Sequence, residues 1–231
     1  MSAAGGDRFG VWPALYCAWA AIAIGLAFAQ GGLSNANLTR AGVLGFLALQ
    51  IAVRARLVTA FAGFAPRARF VVYCTLLAAV VEVLHMNSKP VFDTLRVTAA
   101  TPFGDALRFT AIDLAFTLPA YFVIFGVMWY FVRRWCWGAW DYAVAMAAGQ
   151  ALGDGGLVFF AGAPHMLAFL PYPMTNYHAC NLIPFLAVRG ALAPARAGAA
   201  RWLAVPALVM VYFACGAAIK MAGRALGFEP G

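Results

Sequence analysis

Long apolar runs separated by short polar segments make up almost the whole chain. A helix that crosses the hydrocarbon core of a bilayer needs about 20 predominantly apolar residues, and most of these runs approach that length. They predict seven helices, over approximately residues 12–28, 41–54, 70–86, 108–132, 140–160, 166–188 and 202–222. We therefore expect an all-α, polytopic transmembrane bundle that forms a single domain over residues 1–231.

Two of these helices carry residues that disturb the pattern. Arg54 and Arg56 arrive early in the second run, so we predict that this helix ends near Arg54 and that a short interfacial segment follows it. Pro171, Pro173 and Pro184 lie in the sixth run. Because proline removes a backbone donor and clashes with the preceding turn, these residues are expected to kink or interrupt that helix.

The composition agrees with a membrane protein. Hydrophobic residues make up 65% of the 231 residues and charged residues 10%, and the mean hydropathy is +0.83. The formal net charge of +8 comes from basic residues that lie mostly in the connecting segments. Anchoring at the membrane surface explains them better than nucleic acid does. Membrane lipids are thus the expected partners, no nucleic-acid partner is expected, and the oligomeric state is left open.

The distribution of basic residues predicts the orientation of the chain. The connections after the second, fourth and sixth helices are rich in arginine, whereas the other connections carry Arg40, Lys89 and Arg96. Cytoplasmic loops carry the excess of basic residues in membrane proteins. We therefore expect an integral protein of the bacterial inner membrane with a cytoplasmic N-terminus.

Several acids and histidines are expected to lie at similar depths in the bundle. In the predicted topology, Glu82, His85, Asp113 and Asp154 all fall in the outer leaflet. The stretch 154–185 is the richest in polar residues and prolines inside apolar sequence. Polar groups at membrane depth normally face a bundle interior or one another, so these residues predict one shared site.

The acids suggest a particular chemistry. An apolar environment disfavours an ionised carboxylate, so a carboxyl group there can serve as an acid. Protonation of an unactivated carbon–carbon double bond needs such an acid, a water-poor site and aromatic faces that stabilise the carbocation. Glu82 and Asp154 are the candidate acids. The candidate substrate-binding residues are His85, Asp113, Trp129, Tyr172, Tyr177 and Phe159.

The order of these residues resembles that of membrane carotenoid-biosynthesis proteins, which include carotenoid hydratases and small heterodimer-type lycopene cyclases. The resemblance rests on Glu82, on Pro-Phe-Gly at 102–104, on the run LPAYFVIFGVMWY from Leu118, on Asp154, and on Pro173, Asn176 and Tyr177. Compact membrane terpene cyclases are a related possibility. The resemblance implies an isoprenoid cyclase or hydratase that protonates a polyene or prenylated substrate. In such an enzyme, Asn176 and His178 would join the two acids as catalytic residues and guide the quenching of the cation.

Cofactor motifs are not found in the sequence. It has no Gly-rich phosphate loop and no paired cysteine motif, so neither a nucleotide nor a redox cofactor is expected. Glu82 and His85 form a single E-x-x-H pair, whereas a dimetal bundle needs two, and no metal site is predicted. Two alternatives remain open. The chain could be a transporter or an ion- or metal-binding protein that uses Glu82, His85, Asp113 and Asp154, or an assembly subunit without its own activity.

Overall fold

The computed structural model describes residues 11–192 and 198–228. This part of the chain contains nine α-helices and no β-strand, which confirms the predicted all-α bundle. The helices are α1 (Trp12–Gly31), α2 (Asn35–Ala52), α3 (Arg54–Ala60), α4 (Pro66–His85), α5 (Phe103–Arg134), α6 (Ala139–Ala151), α7 (Leu157–Gly162), α8 (Pro171–Arg189) and α9 (Ala204–Ala225).

Five helical segments in the described residues are long and apolar enough to cross a membrane. The number rises to six if the bent pair α2 and α3 counts as one span. These segments indicate an integral membrane protein. The count is lower than the seven spans predicted, because α8 does not qualify. Two asparagines and a histidine lower the hydropathy of α8, although the helix is 19 residues long.

The second predicted helix ends near the expected residue but begins earlier than expected. α2 begins at Asn35 rather than near 41, because the side chain of Ser34 accepts a hydrogen bond from the backbone N–H of Asn37 at 3.3 Å. Such a cap fixes the first turn of a helix. At the other end, α2 stops at Ala52, and the short helix α3 leaves it at an angle of 76°. The early arginines therefore mark a real change of direction.

The fifth predicted helix, over 140–160, is not continuous. Residues Leu152–Gly156 separate α6 from α7, and we call this segment the Asp154 break. Asp154 has φ −79° and ψ 42°, and Gly155 has φ 86° and ψ −10°. A positive φ is accessible to glycine at little cost, whereas other residues are strained there. Gly155 therefore lets the chain leave the helix immediately after Asp154.

The sixth predicted helix starts later than 166. A 3₁₀ segment, Pro164–Phe169, precedes α8, which begins at Pro171. Pro171 and Pro173 thus lie at the beginning of a helix, where a missing N–H costs little, instead of interrupting one. Pro184 does lie inside α8.

The most polar long helix occupies the centre of the bundle. α8 packs against α1, α2, α4 and α6, and fourteen of its nineteen residues are buried. The outer surface is apolar instead: Leu15, Ile22 and Leu26 of α1 are all exposed. This arrangement suits a bilayer, in which hydrocarbon surrounds the protein and polar side chains must find partners inside it.

A close approach between α6 and α9 brings Tyr212 beside the Asp154 break. A Cβ atom on Gly153 would lie 2.6 Å from the Cβ of Tyr212, and one on Gly149 would lie 3.1 Å from the Cβ of Leu208. Only glycine allows the two backbones to come this near. The fold thus places residues of α9 against the segment that carries Asp154.

Candidate functional site

Glu82 pairs with a tyrosine from the neighbouring helix. It lies one turn before the end of α4, and Tyr121 faces it from the middle of α5. The Tyr121 hydroxyl donates a hydrogen bond to Glu82 Oε1 at 2.5 Å. Both side chains are largely shielded from the surroundings, so the tyrosine holds the carboxyl group in one orientation.

Asp154 forms a second carboxyl–tyrosine pair in different surroundings. The Tyr177 hydroxyl donates to Asp154 Oδ2 at 2.9 Å, and the Lys89 ammonium lies 3.8 Å from the same oxygen. The Asp154 side chain is 55% exposed and that of Lys89 is 73% exposed. Asp154 therefore lies beside a cation and is partly exposed. Within the described residues, Glu82 forms no ion pair and is more shielded.

His85 and Asn176 connect α4, which carries Glu82, to α8, which carries Tyr177. His85 Nδ1 is 2.8 Å from the backbone oxygen of Val81, which can only accept, so Nδ1 bears the hydrogen. Its Nε2 then accepts from Asn176 Nδ2 at 3.1 Å. This assignment leaves Asn176 Oδ1 as a buried acceptor without a hydrogen-bond partner. Such an atom is costly to leave unpaired and can accept a hydrogen bond from a ligand.

These residues form one group, which we call the acid cluster: Glu82, His85, Tyr121, Asp154, Asn176 and Tyr177. The hydrogen bond between His85 on α4 and Asn176 on α8 connects the helix that carries Glu82 to the helix that carries Tyr177, the partner of Asp154. The ring of Tyr177 meets that of Tyr212 edge to face, with centroids 6.1 Å apart. The structure thus joins five of the predicted site residues, namely Glu82, His85, Asp154, Asn176 and Tyr177.

Other predicted site residues lie elsewhere. His178 Nε2 is 3.0 Å from the backbone oxygen of Ala143, and the His178 ring packs against Tyr16 on another side of α8. Trp129 is buried against Phe70. Phe159 is 54% exposed on α7. These contacts of His178 and Trp129 are thus with residues outside the acid cluster.

Tyr172 and Asp113 lie at the edge of the acid cluster. The Tyr172 hydroxyl donates to Asn37 Oδ1 at 2.7 Å. Asp113 is fully buried and within electrostatic range of Glu82, but its Oδ1 accepts from the backbone N–H of Val91 at 2.6 Å. This hydrogen bond holds the segment between α4 and α5 against α5.

A buried polar network was missed by the sequence reasoning. Gln150 donates to the Tyr212 hydroxyl at 2.7 Å and accepts from Asn181 Nδ2 at 2.6 Å. The three side chains come from α6, α9 and α8, and each is at most 9% exposed. The signal in the sequence was Gln150, a polar residue within an apolar helix. This network fixes Tyr212, which in turn packs on Tyr177.

A metal is not favoured by this arrangement. No group of three or more histidine, cysteine or acidic side chains in the described residues could hold a metal ion. Both ring nitrogens of His85 already have protein partners, and Glu82 is bonded to Tyr121. The E-x-x-H pair therefore contributes hydrogen bonds rather than two free ligands.

Comparison of the chain with protein-family models, with curated proteins and with solved structures gave no match. The grounds for proposing a function are therefore the geometry of the site and the resemblance to membrane carotenoid-biosynthesis proteins.

Substitution of Asp113 tests whether its hydrogen bond to Val91 stabilises the fold. We expect Asp113→Ala to lower the free energy of unfolding by about 1–3 kcal/mol, because the buried N–H of Val91 loses its acceptor. Asp113→Asn keeps an acceptor oxygen and should cost less. The measurement is thermal unfolding in detergent, with Asp105→Ala at the exposed start of α5 as the control. Equal stability of Asp113→Ala and the control would contradict the assignment.

Proposed function

We propose that this protein is an integral membrane enzyme that protonates a double bond of an apolar isoprenoid, either a polyene or a prenylated compound. The carbocation that results is then cyclised or hydrated. The observation that carries the proposal is the acid cluster, in which two carboxyl groups with different surroundings each accept a hydrogen bond from a tyrosine. Pairs of acids in unlike environments are typical of sites that divide acid and base roles.

In this proposal Glu82 is the acid. It lies inside the bundle, its hydrogen-bond partner is a neutral hydroxyl, and no basic side chain of the described residues forms an ion pair with it. Asp154 is less suitable because Lys89 lies beside it and its side chain is open to the surroundings. Asp154 would instead act as a fixed negative charge that favours a nearby cation.

The reaction balances without a cofactor. Glu82 gives its proton to one carbon of the double bond and becomes a carboxylate, while the neighbouring carbon becomes a cation. In cyclisation, a second double bond of the substrate attacks the cation, and a later loss of a proton restores Glu82. In hydration, a water molecule adds to the cation and loses its proton to the same carboxylate.

Aromatic side chains around Glu82 support this chemistry. The ring of Tyr121 stacks on that of Phe125 with centroids 5.7 Å apart. The ring of Tyr177, also in the acid cluster, meets that of Tyr212 edge to face. Aromatic faces attract cations within about 6 Å, most strongly when water is excluded. Asn176, with its unpaired Oδ1, is better placed than His178 to orient a water or a substrate group during quenching.

A second candidate function is the transport of protons or ions. The Asp154 break favours it, because discontinuous helices form the substrate and ion sites of many transporters. In that case Asp154 and Lys89 would be the essential residues, and Glu82 would matter less.

The first test is the lipid profile, by mass spectrometry, of a host that makes linear carotenoids and expresses the protein. A new isomer would identify a cyclase, and a product heavier by one water would identify a hydratase. We expect Glu82→Gln to reduce this product by about 10²–10⁴-fold, the usual contribution of a positioned acid. Asp141→Asn, whose carboxylate pairs with Arg201 away from the cluster, is the matched control. If Glu82→Gln retains full activity, Glu82 is not the acid, and loss of the product only in Asp154→Asn would make Asp154 the acid. A lipid profile that the protein leaves unchanged would favour transport.

We further propose that the protein lies in the bacterial inner membrane with its N-terminus in the cytoplasm. The support is the arginine-rich end of the bundle, where Arg54, Arg56, Arg133 and Arg134 are all exposed. In this proposal α8 adds a seventh crossing to the six that include α2 and α3 as one span, so reporter tags at the two termini should label opposite sides of the membrane. Labelling on the same side would contradict this orientation.

A further inference from the structure

Arg40 is a partly buried cation close to the acid cluster. Its guanidinium carbon lies 5.0 Å from the centre of the Tyr172 ring. Its Nη1 atom is buried, however, and has no hydrogen-bond partner. In the described part of the chain, Arg40 also forms no ion pair. One end of the guanidinium group is therefore stabilised by an aromatic face, whereas Nη1 remains unpaired.

An unpaired guanidinium donor is unfavourable in this setting. A buried polar group without a partner costs about 1–3 kcal/mol, and the cost is larger for a charged group. Asp154 is not its partner, since the contacts of that carboxylate are with Tyr177 and Lys89. An acceptor oxygen from a ligand would satisfy Nη1.

Lys89 brings a second cation to the same end of the bundle. Thr39, next to Arg40, hydrogen-bonds to Ser88, next to Lys89, with 3.0 Å between the two hydroxyl oxygens. The start of α2 is thus attached to the segment that follows α4. Lys89 pairs with Asp154 of the acid cluster, and Arg40 contacts Tyr172, which lies one turn before Asn176 on α8, so both cations lie beside this cluster.

We propose that Arg40 and Lys89 bind a phosphate group of a lipid at this end of the bundle. A guanidinium group offers several N–H donors that match phosphate oxygens, and a lysine ammonium adds a mobile point charge. Tyr172 holds the guanidinium in place through its ring. The phosphate could belong to a prenyl diphosphate or to the headgroup of a phospholipid.

If the group belongs to a prenyl diphosphate, the inference deepens the proposed function. This part of the argument rests on that function. A phosphate bound by Arg40 beside the acid cluster would bring the apolar chain to the part of the bundle that holds Glu82. The substrate class would then be a phosphorylated isoprenoid rather than a pure hydrocarbon.

The test measures binding by native mass spectrometry of the purified full-length protein in a neutral detergent. The probes are geranylgeranyl diphosphate, geranylgeraniol with the same chain, and phosphatidylglycerol. We expect a phosphate-bearing probe to bind with a Kd at least about tenfold lower than that of the alcohol. Arg40→Gln should raise that Kd by about tenfold or more, and Lys89→Gln by a smaller factor.

Arg96→Gln is the matched control, since Arg96 is an exposed arginine after α4 that pairs with Asp93. Its Kd should match that of the unaltered protein. If Arg40→Gln does not fold, Arg40→Lys takes its place, because it keeps the charge but loses the fork geometry. Arg40-dependent binding of the diphosphate assigns the site to a prenyl substrate, and Arg40-dependent binding of phosphatidylglycerol alone assigns it to a headgroup.

The proposal would be overturned if neither phosphate-bearing probe bound more tightly than the alcohol, or if Arg40→Gln and Arg96→Gln had equal effects on binding. The Glu82→Gln variant separates this inference from the proposed function. It should bind the phosphate-bearing probe as tightly as the unaltered protein even though it forms no product. Phosphate binding without any Glu82-dependent product would therefore uphold the Arg40 site and reject the enzyme.

Discussion

Hydrocarbon supplies no hydrogen bonds, so polar side chains inside this bundle need partners within the protein. The constraint is strongest for α8, whose Asn176, Tyr177 and Asn181 bond to residues of α4, the Asp154 break and α6 respectively. These bonds explain how a helix with low hydropathy can occupy the centre of a membrane bundle. They also explain why polar groups from α4, α5, the Asp154 break and α8 meet in the acid cluster.

This convergence gives the two acids unlike surroundings. Glu82 is held inside the bundle by Tyr121, whereas the Asp154 break carries Asp154 to an open position beside Lys89. The break depends on Gly155, because its positive φ suits glycine, and on Gly153, because α9 approaches too closely for a side chain. Local backbone chemistry around Asp154 therefore produces the difference on which the proposed division of roles rests.

The sequence predicted the helical membrane bundle and five members of the acid cluster, because long apolar runs and isolated polar residues are strong signals in a membrane protein. It did not predict that the helix containing Asp154 is broken, since glycine tolerates both helical and positive-φ conformations. Tyr121 was missed for another reason. A tyrosine in an apolar helix usually reports packing or an interface, and only the contact between α4 and α5 shows that its hydroxyl reaches Glu82.

The central claim is that Glu82 delivers a proton to carbon. The most direct measurement is isotopic: membranes that contain the protein are incubated in D₂O with linear isoprenoids, and the product is analysed by mass spectrometry. The account predicts one non-exchangeable deuterium on carbon in the product, and no product from Glu82→Gln. A product that forms in D₂O without deuterium on carbon would contradict it, because no proton would then have passed from an exchangeable acid to the substrate.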